Sequence, residues 1–329
     1  MLSTMRKTRL IEHCRCYHLV SRLAHRAFFL DDEEKTRAVG LLRRVEEFCG
    51  VMVLAYAIMS NHFHIFIYVP EPEELDDGKI LRRINALYRD ASLSQVLGTW
   101  KRLEDEEADL LKRARPTKKY VSRFGEYRNS FVRRMWNSSA FMRTFKQHFT
   151  MSFNGRHDHH GTMFEGRYHE RNHKPEPEVM WRTSAYIDIN AWEAGIVKRP
   201  EDYAWCSFAA AVKGDEKARR GYVFMYGNAD DWDVIRDCHE KSMREAMIEI
   251  LAARETERAE REAKGAPAPG RRKNPPPSKA DPGLDAPRRF ALELERGDRY
   301  YLAPLLEKGL IVRTNPEHPN SPHQEYELA

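Results

Sequence analysis

The sequence predicts an α+β fold: a ferredoxin-like antiparallel sheet with helices packed on one face. Two observations carry that expectation. The first elements run strand, helix, strand, strand, and a later helix, strand and helix repeat the alternation. The strand candidates are short and rich in β-branched and aromatic residues. A basic helical insertion and a helical C-terminal extension are expected to hang on this frame.

Residues 17–23, YHLVSRL, read as the first strand. DDEEKTRAVGLLRRVEEFCG (31–50) predicts a helix: acids at its start suit the macrodipole, leucines recur on one face, and Gly50 stops it. Residues 51–59 and 62–69 predict two strands joined by a tight Ser60–Asn61 connection, closed by Pro70 and Pro72. The stretch 73–115 is charged and helical in pattern, and 139–153 predicts another helix. NGRHDHHG (154–161) reads as a turn-rich loop, followed by a short extended segment, TMFEGRYHER. A helix is expected from about Pro177 to Ala194, with prolines at its entry and Gly195 at its end. KRPEDYAWCSFAAAVKG (198–214) predicts a turn and a short helix, and 233–264 a long charged helix. The expected organisation is a sheet domain at 1–70 and 139–215, a basic insertion at 71–138, and a charged extension at 216–264. A Pro/Gly-rich linker at 265–283 and a small tail element at 284–329 complete it.

The chain of 329 residues is long enough to bury a sizeable core, and 32% of its residues are charged. No apolar run approaches the ~20 residues needed to cross a bilayer, so no membrane partner is expected. The opening MLSTMRKTRLIEHCRCYHLV has no continuous apolar stretch of the kind a secretory leader needs. Five scattered cysteines suit a reducing, cytoplasmic location better than a disulfide scaffold. Net charge is +5, but its distribution is uneven. Leu111–Lys146 holds eleven Lys/Arg against one acid, Glu126, with Tyr120, Phe124, Tyr127, Phe131, Trp136, Phe141 and Phe145 interleaved. Phosphate neutralisation with base stacking is one reading of such a segment. A solvated helix face over buried aromatics is the other.

YAIMSNHFHIFIYV (56–69) raises the chemical question. Side chains alternate along a strand, so His62 and His64 share a face and Phe63 takes the other. Two imidazoles from one rigid strand suit a metal site, or are two core histidines. On the helix expected from Pro177, Tyr186 and Asn190 are four residues apart and share a face. A phenol beside an amide suits a nucleophile next to a metal that polarises a phosphate. The plain alternative for Tyr186 is an amphipathic-helix aromatic. HDHH (157–160) lies in an expected loop, and Cys14-x-Cys16 lacks a second ligand pair at zinc-site spacing.

YAIMSNHFHIFI resembles the HUH motif of single-tyrosine transposases of the insertion-sequence-200-like branch. MFEGRYHERN followed by AYIDINAWEAGIVKRPEDYAWCSFAAAVKG is similar to the REP-associated tyrosine transposases of that branch. The resemblance covers roughly residues 10–70 and 140–214. It implies His62, His64 and Asn190 as metal ligands, Mg²⁺ or Mn²⁺ as the metal, and Tyr186 as the nucleophile. It further implies nicking and strand transfer on hairpin-bearing single-stranded DNA through a 5′-phosphotyrosine, by a monomer or homodimer. Arg167, in the Gly-Arg-Tyr segment, becomes a phosphate contact. Lys118, Lys119, Arg123, Arg133 and Arg134 are expected to extend the DNA-binding surface. Two positions depart from the pattern: Asp188 stands where the family carries a histidine, and Ala191 where it carries a proline. Those departures keep open a domesticated DNA-binding protein without turnover. A metal-dependent hydrolase of small phosphoesters is the third reading, with water rather than Tyr186 as nucleophile.

Overall fold

The structure, a computed structural model, describes residues 12–24, 30–113, 121–227 and 231–263, with short strands at 311–313 and 326–328. Its elements are β1 (Arg15–Arg22), α1 (Asp32–Cys49), β2 (Met52–Ile58), β3 (His62–Val69), α2 (Asp77–Leu87), α3 (Asp90–Arg113), α4 (Arg123–Val132) and α5 (Ser138–His157). They continue with β4 (His169–His173), α6 (Pro177–Asp188), α7 (Asn190–Glu193), α8 (Ser207–Val212), α9 (Glu216–Met225) and α10 (Trp232–Ala263), then β5 (Ile311–Arg313) and β6 (Tyr326–Leu328). Four strands form one sheet in the order β2-β3-β1-β4, and β5 pairs with β6. β1 is antiparallel to both β3 and β4. The α+β class and the antiparallel sheet are therefore as expected.

The chain divides into two compact units. One takes the described residues from 12 to 54 and from 60 to 176. The other takes residues 55–59 and the described residues from 177 onward. The basic insertion shares a unit with β1, β3 and β4, and residues 177–215 share one with the charged extension.

In the first unit the sequence sets the local structure directly. The Asp31 side chain caps α1 by accepting from the Glu34 amide at 2.8 Å, and Gly50 ends the helix in the left-handed region at φ 64°. Leu41, Leu42, Val45 and Phe48 are buried along one stripe of α1. On α5, Phe141, Phe145, Phe149 and Phe153 recur every fourth residue and are all buried. Phe145 meets Phe63 of β3 edge-to-face at 5.2 Å, which fixes the face of β3 opposite His62 and His64 as the core face. α5 runs on to His157, so the expected loop at 154–161 starts as helix and turns only at Asp158, φ 47°.

The insertion forms α2, α3 and α4. Ile80, Ile84 and Leu87 of α2 are buried, and α2 packs on α1. The aromatics of the basic run hold the insertion together. Trp100 meets Phe124 at 5.1 Å, and Phe131 meets both Tyr127 and Tyr88. Arg128 ties the insertion to its own start, donating to Asp77 at 2.6 Å and to the Leu75 carbonyl at 2.8 Å.

In the second unit, the single helix expected from Pro177 to Ala194 is two helices. The helix is interrupted at Ile189, whose φ of −82° and ψ of 0° leave the helical region. Its amide still donates to the Ala185 carbonyl at 3.0 Å, and its carbonyl accepts from the Glu193 amide at 2.8 Å. The side chain before the break, Asp188, is fully buried and tied down by four groups, so the sequence spacing of Tyr186 and Asn190 no longer rests on one continuous helix. Tyr186 is 39% exposed, whereas Asn190 is buried. No helix among the described residues is long and apolar enough to cross a membrane.

Candidate functional site

The register of the sheet builds the site. Directly opposed residues of antiparallel strands share a face, so β3 His62 and His64 stand beside β1 Arg22 and Val20. β1 Cys16, His18 and Val20 in turn oppose β4 His173, Arg171 and His169. One face of the first unit thus presents His18, Arg22, His62, His64, His169, Arg171 and His173. The carboxylate of β4, Glu170, points to the other face, where it accepts from Ser138 Oγ and Tyr168 OH.

The imidazoles are engaged with one another. His18 Nε2 and His64 Nδ1 share a hydrogen bond of 3.0 Å, with the rings stacked. His62 lies edge-on to His64 at 5.2 Å, and its Nδ1 donates to Asn61 Oδ1 at 2.7 Å. That last bond fixes the tautomer of His62 and leaves Nε2 as the lone-pair nitrogen, the usual arrangement behind a ligating histidine. His64 is only 6% exposed. Burial holds its pKa well below the ordinary range, with His62, His18 and Arg22 pushing the same way. His18 is lowered to about 4, by burial first and then by Arg171 and His173. Both rings are therefore neutral at pH 7, the form in which imidazole can ligate a metal.

The donor set fits a divalent ion in part. Two imidazole nitrogens come from one strand, but among the described residues no group of three or more His, Cys, Asp or Glu side chains gathers around a common position. Asn190, the third implied ligand, lies in the second unit.

The basic residues singled out in the sequence fall into distinct settings. Lys118 and Lys119 lie outside the described residues. Arg123 and Arg133 are exposed and pair with Glu106 and Glu126 at 3.3 and 3.2 Å. Arg134 is turned inward: its guanidinium lies over the rings of Phe48, Phe131 and Tyr88, and it donates to Tyr88 OH at 3.0 Å. Arg167 is exposed. Near it, Lys146 Nζ donates to the Gly166 carbonyl at 2.7 Å and stands over Phe164, and burial lowers its pKa.

Asp188 is the largest surprise. Its Oδ1 accepts from Ser207 Oγ at 2.8 Å and the Phe208 amide at 3.1 Å. Its Oδ2 accepts from Tyr222 OH at 2.7 Å and His239 Nε2 at 3.0 Å. His239 Nδ1 bonds in turn to Tyr226 OH at 3.0 Å. Burial and the Asp188 charge push the Tyr222 pKa far up, so its hydroxyl stays a donor. Sequence reasoning missed this network and the partners His18, Arg22 and Arg171. A signal for the latter existed: β4 reads His-Glu-Arg-Asn-His, and the basic side chains recur with period two.

Among the described residues, this sheet face gathers imidazoles and guanidiniums from β1, β3 and β4, and the one carboxylate of β4 is turned away from it. Residues 13–87, which include both histidines, match the family described as IS200-like transposases, so this segment is transposase-like and the resemblance read from the sequence holds for it. Residues 295–329 match the C-terminal domain of the Fic-like "filamentation induced by cAMP" proteins. No curated protein matches the chain. Among solved structures, a REP-associated tyrosine transposase bound to a REP hairpin is similar at 13% identity, over 65% of this chain and 87% of that one, with a TM-score of 0.38.

Proposed function

We propose that the protein is a metal-dependent enzyme of the HUH tyrosine type, which nicks and rejoins single-stranded DNA at hairpin-associated sites. The observation that carries this reading is the strand His62–Val69. It lies within the segment that matches IS200-like transposases, and it turns two imidazoles to one polar face. His62 and His64, with Asn190 as third ligand, would hold Mg²⁺ or Mn²⁺, which supplies Lewis-acid polarisation of the scissile phosphate. The chain's own residues do the rest. Asn61 orients His62, and His18 orients His64.

Tyr186, exposed on α6, attacks the phosphorus. Its oxygen forms the 5′-phosphotyrosine as the P–O3′ bond breaks, and the departing 3′ oxygen takes up a proton. The reverse attack by that 3′-hydroxyl joins strands and frees the tyrosine. Arg167, Arg123 and Arg133, with Lys118 and Lys119, add positive charge along the DNA, whereas Arg134 serves the packing of the insertion. A cytoplasmic protein acting as monomer or homodimer completes the reading, and the five cysteines are all free thiols, as a reducing compartment would have them.

The test is incubation of the full chain with hairpin-bearing single-stranded DNA and Mn²⁺, followed by a denaturing gel. A covalent adduct is expected, lost in Tyr186→Phe and in His64→Ala. An adduct that persists in Tyr186→Phe refutes the nucleophile. Absence of any adduct with either ion refutes turnover and leaves DNA binding alone.

A further inference from the structure

The polar sheet face continues past the two histidines. β4 is the edge strand, and its side chains at 169, 171 and 173 stand beside those at 20, 18 and 16 of β1. His169 and Arg171 are exposed, His173 half-buried, and Arg22 is exposed at the end of β1 next to His62. Neither Arg22 nor Arg171 pairs with a carboxylate among the described residues, whereas Arg113, Arg123, Arg128 and Arg133 of the insertion each pair with one. The only carboxylate of β4, Glu170, is turned to the opposite face. An unneutralised guanidinium is the group best suited to a phosphate oxygen, since it offers a planar fork of donors and stays charged.

The spacing also favours one nucleic-acid form. Positions two apart on a strand recur about every 6.8 Å, close to the phosphate repeat of an extended single strand. A duplex would present its phosphates along a helical path that one straight edge cannot follow.

We propose that Arg22, His169, Arg171 and His173 form the track that holds the phosphodiester backbone of single-stranded DNA as it reaches His62 and His64. The proposal rests on the DNA-nicking reading for its ligand, and it assigns the backbone grip to the sheet edge rather than to the insertion. These four are binding residues and take no part in bond making.

Binding of the full chain to an unstructured single-stranded oligonucleotide, in EDTA and across a salt series, tests the track apart from turnover. Each phosphate contact contributes a slope of about −0.7 in log K against log salt for single strands. Arg22→Gln with Arg171→Gln should therefore flatten the slope by about 1.4, and Arg171→Gln alone by about 0.7. Arg171 is exposed on an edge, so that single variant keeps the test open if the double variant unfolds. An unchanged slope overturns the proposal and leaves the charges as guards against edge-to-edge strand pairing. Tighter binding of an RNA strand of the same sequence overturns the choice of DNA. If the slope flattens but the wild-type chain forms no covalent adduct, the track stands and the nicking reading fails. If the adduct forms and the slope is unmoved, the reverse holds.

Discussion

Asp188→Ala should be among the most damaging single changes available to the second unit. The carboxylate is fully buried and accepts four hydrogen bonds, from Ser207 Oγ, the Phe208 amide, Tyr222 OH and His239 Nε2. Hydrogen bonds to a charged group contribute about 1.5–3 kcal/mol each, so four sum to roughly 6–12 kcal/mol. That sum overstates the loss, because removing the carboxylate also removes the cost of burying its charge, which is several kcal/mol. Of the four donors, Ser207 Oγ keeps the Tyr56 carbonyl at 3.3 Å, while the Phe208 amide, Tyr222 and His239 lose their acceptor, and each unmet donor costs about 1–3 kcal/mol. A net loss of about 3–5 kcal/mol follows, the range for breaking a buried charged pair from one side. Asp188→Asn keeps the shape and the Ser207 and Phe208 bonds, and should lose about half as much. Urea denaturation followed by tryptophan fluorescence reads both, since Trp181, Trp192, Trp205 and Trp232 lie in this unit. A loss below about 1 kcal/mol for Asp188→Ala would refute the reasoning. It would mean that water replaces the carboxylate at no cost, and that the four bonds do not define the end of α6.

Three further outcomes are expected. Glu34 is buried, which alone would raise its pKa, but hydrogen bonds from Arg156 (2.6 and 2.9 Å) and His157 outweigh burial and lower it. A lowered folded pKa gives stability that is present above the ordinary carboxylate range and lost as pH falls through the folded value. Glu34→Gln should therefore narrow its stability gap to wild type as the pH drops, and a gap independent of pH between 7 and 3 would refute the assignment. Gly50→Ala should cost about 1–2 kcal/mol, because φ is +64° and the added Cβ meets the Arg83 guanidinium; a melting temperature equal to wild type sinks this. Arg134→Met separates packing from phosphate binding. The ring contacts predict a less stable protein with an unchanged salt slope for DNA binding, and a flattened slope at full stability would return Arg134 to the DNA surface.

Periodicity made the first unit legible. Phe63 between two histidines forces opposite faces on any strand, and the phenylalanines of α5 announce its buried stripe by recurring every fourth residue. The ends of α1 were equally plain, with a run of acids at its start and Gly50 at its stop, though the capping role of Asp31 was not. What the chain pairs with across space was not legible. His18 is 46 residues from His64, and only the β1–β3 register brings the rings together. The aromatics of the basic run looked available to bases, yet Phe124, Tyr127 and Phe131 spend their faces on Trp100, Tyr88 and one another. Local composition records that aromatics and cations are interleaved. It does not record whether the partner of a ring is a base or another ring.

Asp188 shows how a departure from a family pattern acquires a physical reason. Read along the sequence, an acid two residues after the candidate nucleophile suggests an altered metal site or a side chain facing solvent, and its full burial overturns the second. In the structure its carboxylate turns into its own unit, and the groups that satisfy it come from α8, α9 and α10. The donor from α10 is His239, fully buried, and Tyr226 occupies its other nitrogen. A histidine at 188 would face His239 and Tyr222 without the negative charge that both now donate to, while a buried His239 beside a neutral 188 would lack its partner. The acid and the C-terminal extension therefore belong together. Arg182 to Glu249 at 2.8 Å and Arg254 to Glu193 at 3.1 Å add two more ties from α10, one on each side of the break at Ile189. The extension is then the support on which the Tyr186 helix ends. Truncating the chain before α10 should unfold the second unit rather than trim it, and a truncated chain that still melts cooperatively at the wild-type temperature would show that α6 stands without this support.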